Sequence, residues 1–201
     1  MKKYITEFIG TLFLVLAVGL SEGNPLAIGA TLMVMIYAGG HISGAHYNPA
    51  VTASVFVRGK IALNEALMYM GCQVAGALIA GLIVSLFIAI PDTALQELTI
   101  TKALVAELLG TFALAYVVLN VATTKSNAGN SFYGLAIGFT VFAMAVCFGR
   151  YSGGAFNPAV AVGASIMKFF AWKNIWIYLL ACIGGGILAG LVFNMNNPDD
   201  K

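Results

Sequence analysis

Six apolar runs, near residues 4–20, 25–42, 62–90, 103–123, 131–149 and 173–193, leave this chain little choice of solvent. A helix needs roughly 17–25 residues to cross the hydrocarbon core of a bilayer, and every run reaches that length. Charged residues make up only 9% of the chain, against roughly 25% in a soluble domain, too few to clothe a water-facing surface. Lipid offers no hydrogen bonds to an open backbone, so only helices and closed barrels span it, and these runs are too continuously apolar for barrel strands. The expectation is an all-α membrane protein with six transmembrane helices.

The opening MKKYITEFIGTLFLVLAVGL has a basic start, but Glu7 interrupts its apolar run and no convincing cleavage site follows. It is read as the first span rather than a removable leader. Lys2, Lys3, Arg58, Lys60, Lys125 and Lys201 then share one side, and Lys102, Arg150, Lys168 and Lys173 the other. The small excess assigns both termini to the cytoplasm, in what is expected to be the cell inner membrane. Cys72, Cys147 and Cys182 all lie in apolar segments, which suits packing better than disulfides or metal ligation. The net charge of +2 argues against nucleic acid as a partner. His41 and His46 have no Cys or carboxylate near them, a poor metal site. With no nucleophile–base pair in view either, neither an enzyme nor a cofactor is expected.

The two halves echo each other. ITEFIGTLFL from Ile5 resembles VAELLGTFAL from Val105, pairing Glu7 with Glu107. LAIG at Leu26 recurs at Leu135, Ser43-Gly44 at Ser152-Gly153, and Asn48-Pro49-Ala50-Val51 at Asn157-Pro158-Ala159-Val160. From the second span onward one constant offset relates the matches. Three spans per half is an odd number, so the copies face opposite ways in one membrane domain, 1–201, with repeats of about 1–95 and 96–201. The site of such an inverted repeat is expected near the midplane where the halves meet.

Asn-Pro-Ala is a turn sequence at bilayer depth. Asn is a favoured N-cap and Pro a favoured first helical residue, so each motif starts a helix too short to span, 49–57 in one half and 158–168 in the other. Irregular backbone survives at that depth only inside protein or beside a wet cavity. Inversion brings the two half-helices in from opposite faces, with roughly half a positive charge at each N-terminus. Each Asn can cap its helix through oxygen and turn its NH2 group toward the lumen, where two donors force a passing water to accept and interrupt a proton wire. The expected device is a constriction for neutral solutes.

At these residues, and across nearly the whole chain, the sequence resembles the aquaporin (major intrinsic protein) family. HISGAHYNPAV matches the family's first re-entrant loop almost letter for letter, and Glu7, Glu107 and the second Asn-Pro-Ala fit as well. The resemblance implies an aquaporin-like inverted repeat with two re-entrant half-helices, and a homotetramer with one pore per subunit. It also implies that Glu7 and Glu107 brace the loops, with snorkelling near a span end as the plainer reading of Glu7. His46 is placed along the path or against the loop. Family spacing puts the selectivity filter at Ile28, Ala145, Gly154 and Val160. Most members carry Arg where this chain has Val160, and orthodox water channels carry an aromatic and a His at two of the other positions. The filter is therefore expected to be wide and apolar, with Arg150 either swinging in as a substitute cation or staying at the interface.

The expected function is a passive channel for water, for small uncharged solutes, or for both, the solutes being glycerol, urea, ammonia, or metalloid hydroxides such as arsenous acid. A water-selective channel with an atypical filter is the alternative. A secondary transporter also uses inverted repeats, but it needs a midplane coupling site, and Glu7 and Glu107 lie nearer the span ends.

Overall fold

Where the helices stop is decided by the residues between the apolar runs. Gly44 and Gly153 both take the left-handed conformation, at φ +85° and +89°, and each closes the helix before it. Asn24 accepts from the amides of Leu26 and Ala27, and Pro25 follows at the first helical position. The computed structural model describes residues 1–88 and 97–200. Its helices are α1 (Lys2–Leu20), α2 (Pro25–Ser43), α3 (Pro49–Val57), α4 (Leu63–Phe87), α5 (Ile100–Ala122), α6 (Tyr133–Ser152), α7 (Pro158–Ile166) and α8 (Ile175–Asn196), with single 3₁₀ turns at Lys125–Asn127 and Trp172–Asn174. Six are long and apolar enough to cross a membrane, and α3 and α7 are nine-residue half-helices.

The packing repeats with the sequence. Helix α1 lies along α4 as α5 lies along α8, α2 meets α6 between the halves, and each half-helix packs on a long helix of the other half, α3 on α8 and α7 on α4. One contact shows why glycine recurs. A β-carbon on Gly76 would strike the carbonyl of Phe8, and one on its repeat mate Gly185 would strike that of Leu108. Without a hydrophobic drive between helices in lipid, such close backbone approach is what lets them associate. Outward positions hold large apolar side chains, among them Leu86, Leu180 and Val146.

Several boundaries differ from the sequence reading. The second half-helix ends at Ile166 rather than 168, because the chain reverses through Lys168 at φ +58°. The third span is helical to Phe87; residues 89 and 90, the expected repeat boundary at 95/96 and Lys201 lie outside the described residues. Arg58, counted among the loop cations, is buried instead. Its guanidinium lies 4.5 Å from the centre of the Phe193 ring and donates to Asp200 at 3.1 Å. A buried guanidinium needs that partner.

The candidate pore and its two re-entrant loops

Glu7 is fully buried within α1, where a lone carboxylate would be prohibitively costly. It is paired four times over. Ser43 Oγ donates to its Oε1 at 2.6 Å and the His46 amide at 3.0 Å, while the Tyr47 amide and Gln73 Nε2 donate to Oε2 at 2.7 and 2.8 Å. Glu107 repeats the pattern. Ser152 Oγ donates at 2.6 Å, the Ala155 amide at 2.9 Å and the Phe156 amide at 2.7 Å, with Cys182 Sγ at 3.4 Å in the place of the Gln73 amide. Neither glutamate snorkels. Both take up amides that a non-helical loop at this depth would leave unsatisfied.

The carboxylates also aim the opposite side of those peptides. A trans peptide points its C=O away from its N–H, so the carbonyls of Ala45 and His46 face away from Glu7, and those of Gly154 and Ala155 away from Glu107. Ala45, His46, Gly154 and Ala155 all line the same cavity. A file of backbone acceptors therefore faces the lumen from each loop.

The half-helix tips meet through a reciprocal pair of bonds. Asn48 Oδ1 accepts from the Ala50 amide at 2.8 Å, and its Nδ2 donates to the carbonyl of Phe156 at 2.9 Å. Asn157 Oδ1 accepts from the Ala159 amide at 2.9 Å, and its Nδ2 donates to the carbonyl of Tyr47 at 2.9 Å. One hydrogen of each NH2 is thus held by the opposite loop and one remains. Tyr47 and Phe156, which receive those bonds, sit at φ +49° and +47°, a region that ordinary residues enter at a cost of roughly 1–2 kcal/mol. The strain is held by the glutamates and by ring packing. A β-carbon on Gly10 would collide with the Tyr47 ring, and one on Gly110 with that of Phe156. Sequence reasoning missed both aromatics, although each precedes its Asn at the same repeat position.

A cavity of about 360 Å³ passes both asparagines. It extends from Glu22, Pro25 and Phe169 to Ile36 and His46, and all four expected filter residues, Ile28, Ala145, Gly154 and Val160, line it. Pro49, Ala50, Pro158 and Ala159 are buried behind the tips. His46 lines the cavity, its Nδ1 3.1 Å from Thr52 Oγ1, which also accepts from Gln73 Nε2 at 3.0 Å. Arg150 reaches the same cavity but lays its guanidinium over Tyr151 and donates to that phenol at 2.6 Å. No group of three His, Cys, Asp or Glu side chains gathers to hold a metal among the described residues.

Two half-helices joined tip to tip beside a lumen, inside six membrane-crossing helices, define a helical membrane channel. The sequence profile of the family described as Major intrinsic protein matches residues 1–193. The chain is 34% identical to a putative aquaporin, NIP4-1, of Arabidopsis thaliana, over all of this chain and 76% of that one. It is also 34% identical to the glycerol uptake facilitator protein-like 6 of Lactiplantibacillus plantarum, over the whole of both. Its fold matches the aquaglyceroporin of Plasmodium falciparum with a TM-score of 0.82 at 23% identity, covering 96% of this chain and 95% of the other. The chain belongs to the major intrinsic protein family and is a passive channel for water and small solutes, not an enzyme.

Proposed function

We propose that the cavity conducts water together with small uncharged solutes such as glycerol, urea, ammonia or arsenous acid, and that Asn48 and Asn157 keep protons out of it. The reciprocal bonds between each Asn and the opposite loop carry this reading. They hold two half-helix N-termini together, so both positive ends face one spot and repel cations. The remaining hydrogen of each NH2 group orients water oxygen-first at that spot.

Ile28, Ala145, Gly154 and Val160 form the filter in this reading. They bring no charged or ring side chain, which favours solutes wider than water, and Arg150 is engaged with Tyr151 rather than filling the place of a filter cation. Relatives bearing both aquaporin and glycerol-facilitator names fit a lumen of mixed permeability. The protein is read further as one domain of two inverted repeats. It assembles as a homotetramer in the inner membrane with both termini cytoplasmic, supported on that side by Lys2, Lys3, Lys60 and Lys125.

Reconstitution into liposomes, comparing water, glycerol, urea and arsenite by stopped-flow scattering, tests the reading. Fast, non-saturating flux of water and at least one solute is expected; water alone establishes the water-selective alternative, and saturating flux points to a transporter. Val160→Arg is expected to cut glycerol or urea flux about tenfold, equivalent to about 1.4 kcal/mol of barrier, with a smaller loss of water flux. Equal loss of all solutes, or none, removes the filter assignment.

A further inference from the structure

The turn after each half-helix is built the same way and ends on different residues. After α3, Gly59 sits at φ +81° and the Lys60 amide reaches back to the Val55 carbonyl at 3.0 Å. After α7, Lys168 sits at φ +58° and the Phe169 amide reaches back to Ala164 at 2.8 Å, with the Phe170 amide sharing that carbonyl at 3.2 Å. Gly59 and Lys168 are repeat mates, as are Lys60 and Phe169. Lys60 is exposed, whereas Phe169 is half-buried and lines the cavity with Glu22, Pro25 and Ile28.

Phe170 backs it. Its ring stacks on Tyr178 at 4.5 Å with the planes 4° apart, and it occupies the room that a side chain on Gly153 would take. Tyr178 is itself fixed by donating to the Ser152 carbonyl at 2.6 Å. The outer end of the lumen thus has an anchored aromatic floor and one half-buried ring beside it, while none of the four filter residues contributes a ring.

We propose that Phe169 is a specificity-determining residue, setting the largest cross-section that enters from this end. The inference deepens the conduction reading and rests on it. Small neutral amides and polyols pass edge-on beside the ring, with a hydroxyl or amide hydrogen donated to the Gly154 carbonyl; branched or N-methylated analogues meet the ring.

The test is a size series, Phe169→Trp, the parent, Phe169→Leu and Phe169→Ala, assayed in liposomes for water, urea and 1,1-dimethylurea. The dimethylurea-to-urea permeability ratio is expected to rise in that order. From parent to Ala the rise is about tenfold, the low end of what a one-methylene misfit commands in a shaped pocket. A purely structural role would lower all three fluxes together and leave the ratio unmoved. A conducting parent with a flat ratio across properly folded variants overturns this inference alone. A parent that passes neither water nor urea overturns the conduction reading and this inference with it.

Discussion

The two re-entrant loops share one backbone and differ in what surrounds it. Their bonds agree to about a tenth of an ångström: serine to glutamate at 2.6 Å in both, loop amide to glutamate at 2.7 Å in both, asparagine to opposite carbonyl at 2.9 Å in both. Around the first loop, Gln73, Thr52 and His46 form a hydrogen-bonded chain that reaches the lumen. Their mates around the second loop are Cys182, Ala161 and Ala155. The duplicated parts are those that satisfy a backbone cut off from water; of the divergent residues, His46 and Ala155 line the cavity, while Gln73, Thr52, Cys182 and Ala161 are buried away from it. Side-chain polarity therefore sits with the first loop, and shape with the second.

The largest test of that division removes a glutamate. Glu7→Ala strands two loop amides, a buried hydroxyl and the Gln73 amide, and each stranded buried donor costs about 1–3 kcal/mol. Glu107→Ala strands one strong donor fewer, because a thiol at 3.4 Å stands where the Gln73 amide stood. Both variants are expected to lose several kcal/mol, a large share of a typical 5–15 kcal/mol, with Glu7→Ala the worse. Thermal unfolding in detergent reads this, and the reverse order would break the comparison.

A smaller effect is expected at the tips, where the halves match. Asn48→Ala and Asn157→Ala each lose a helix cap and one cross-loop bond, about 1–2 kcal/mol, and the two losses are expected to be equal within about 0.5 kcal/mol. Each variant is also expected to admit a proton current, read with a pH-sensitive dye inside liposomes. A leak in only one variant would mean that one loop alone does the excluding.

The spans and half-helix starts are legible in the sequence because they rest on local chemistry: run length, Asn before Pro, glycine where φ must be positive. What is illegible rests on tertiary placement. The turn at Gly59 announces itself by its glycine, whereas the same turn at Lys168 is hidden under a residue that seldom adopts it, so the half-helix reads too long and Phe169 goes unnoticed. Arg58 looks like a loop cation until Phe193 and Asp200, far along the chain, close over it. Tyr47 and Phe156 matter through their carbonyls, which no side-chain pattern advertises.

The smallest effect separates the two polar surrounds. Gln73→Leu loses donation to Glu7 and to Thr52, yet it also removes an Oε1 that accepts no hydrogen bond among the described residues. The losses and that gain partly cancel, leaving roughly 1 kcal/mol of destabilisation. Cys182→Ala loses weak thiol contacts to Glu107 and to the Asn157 backbone and a small volume, and is expected to cost less than about 1 kcal/mol. The functional consequences diverge more than the stabilities. Without the Gln73 amide, Thr52 Oγ1 loses one donor and His46 loses part of what orients its ring at the lumen, so water permeability is expected to change in Gln73→Leu. Cys182 has Ala161 and Ala155 where Gln73 has Thr52 and His46, so it reaches the lumen through the Asn157 backbone rather than through a relay of polar side chains, and permeability in Cys182→Ala is expected to stay close to the parent value. Equal changes in both variants would mean that the Gln73–Thr52–His46 chain serves the fold alone.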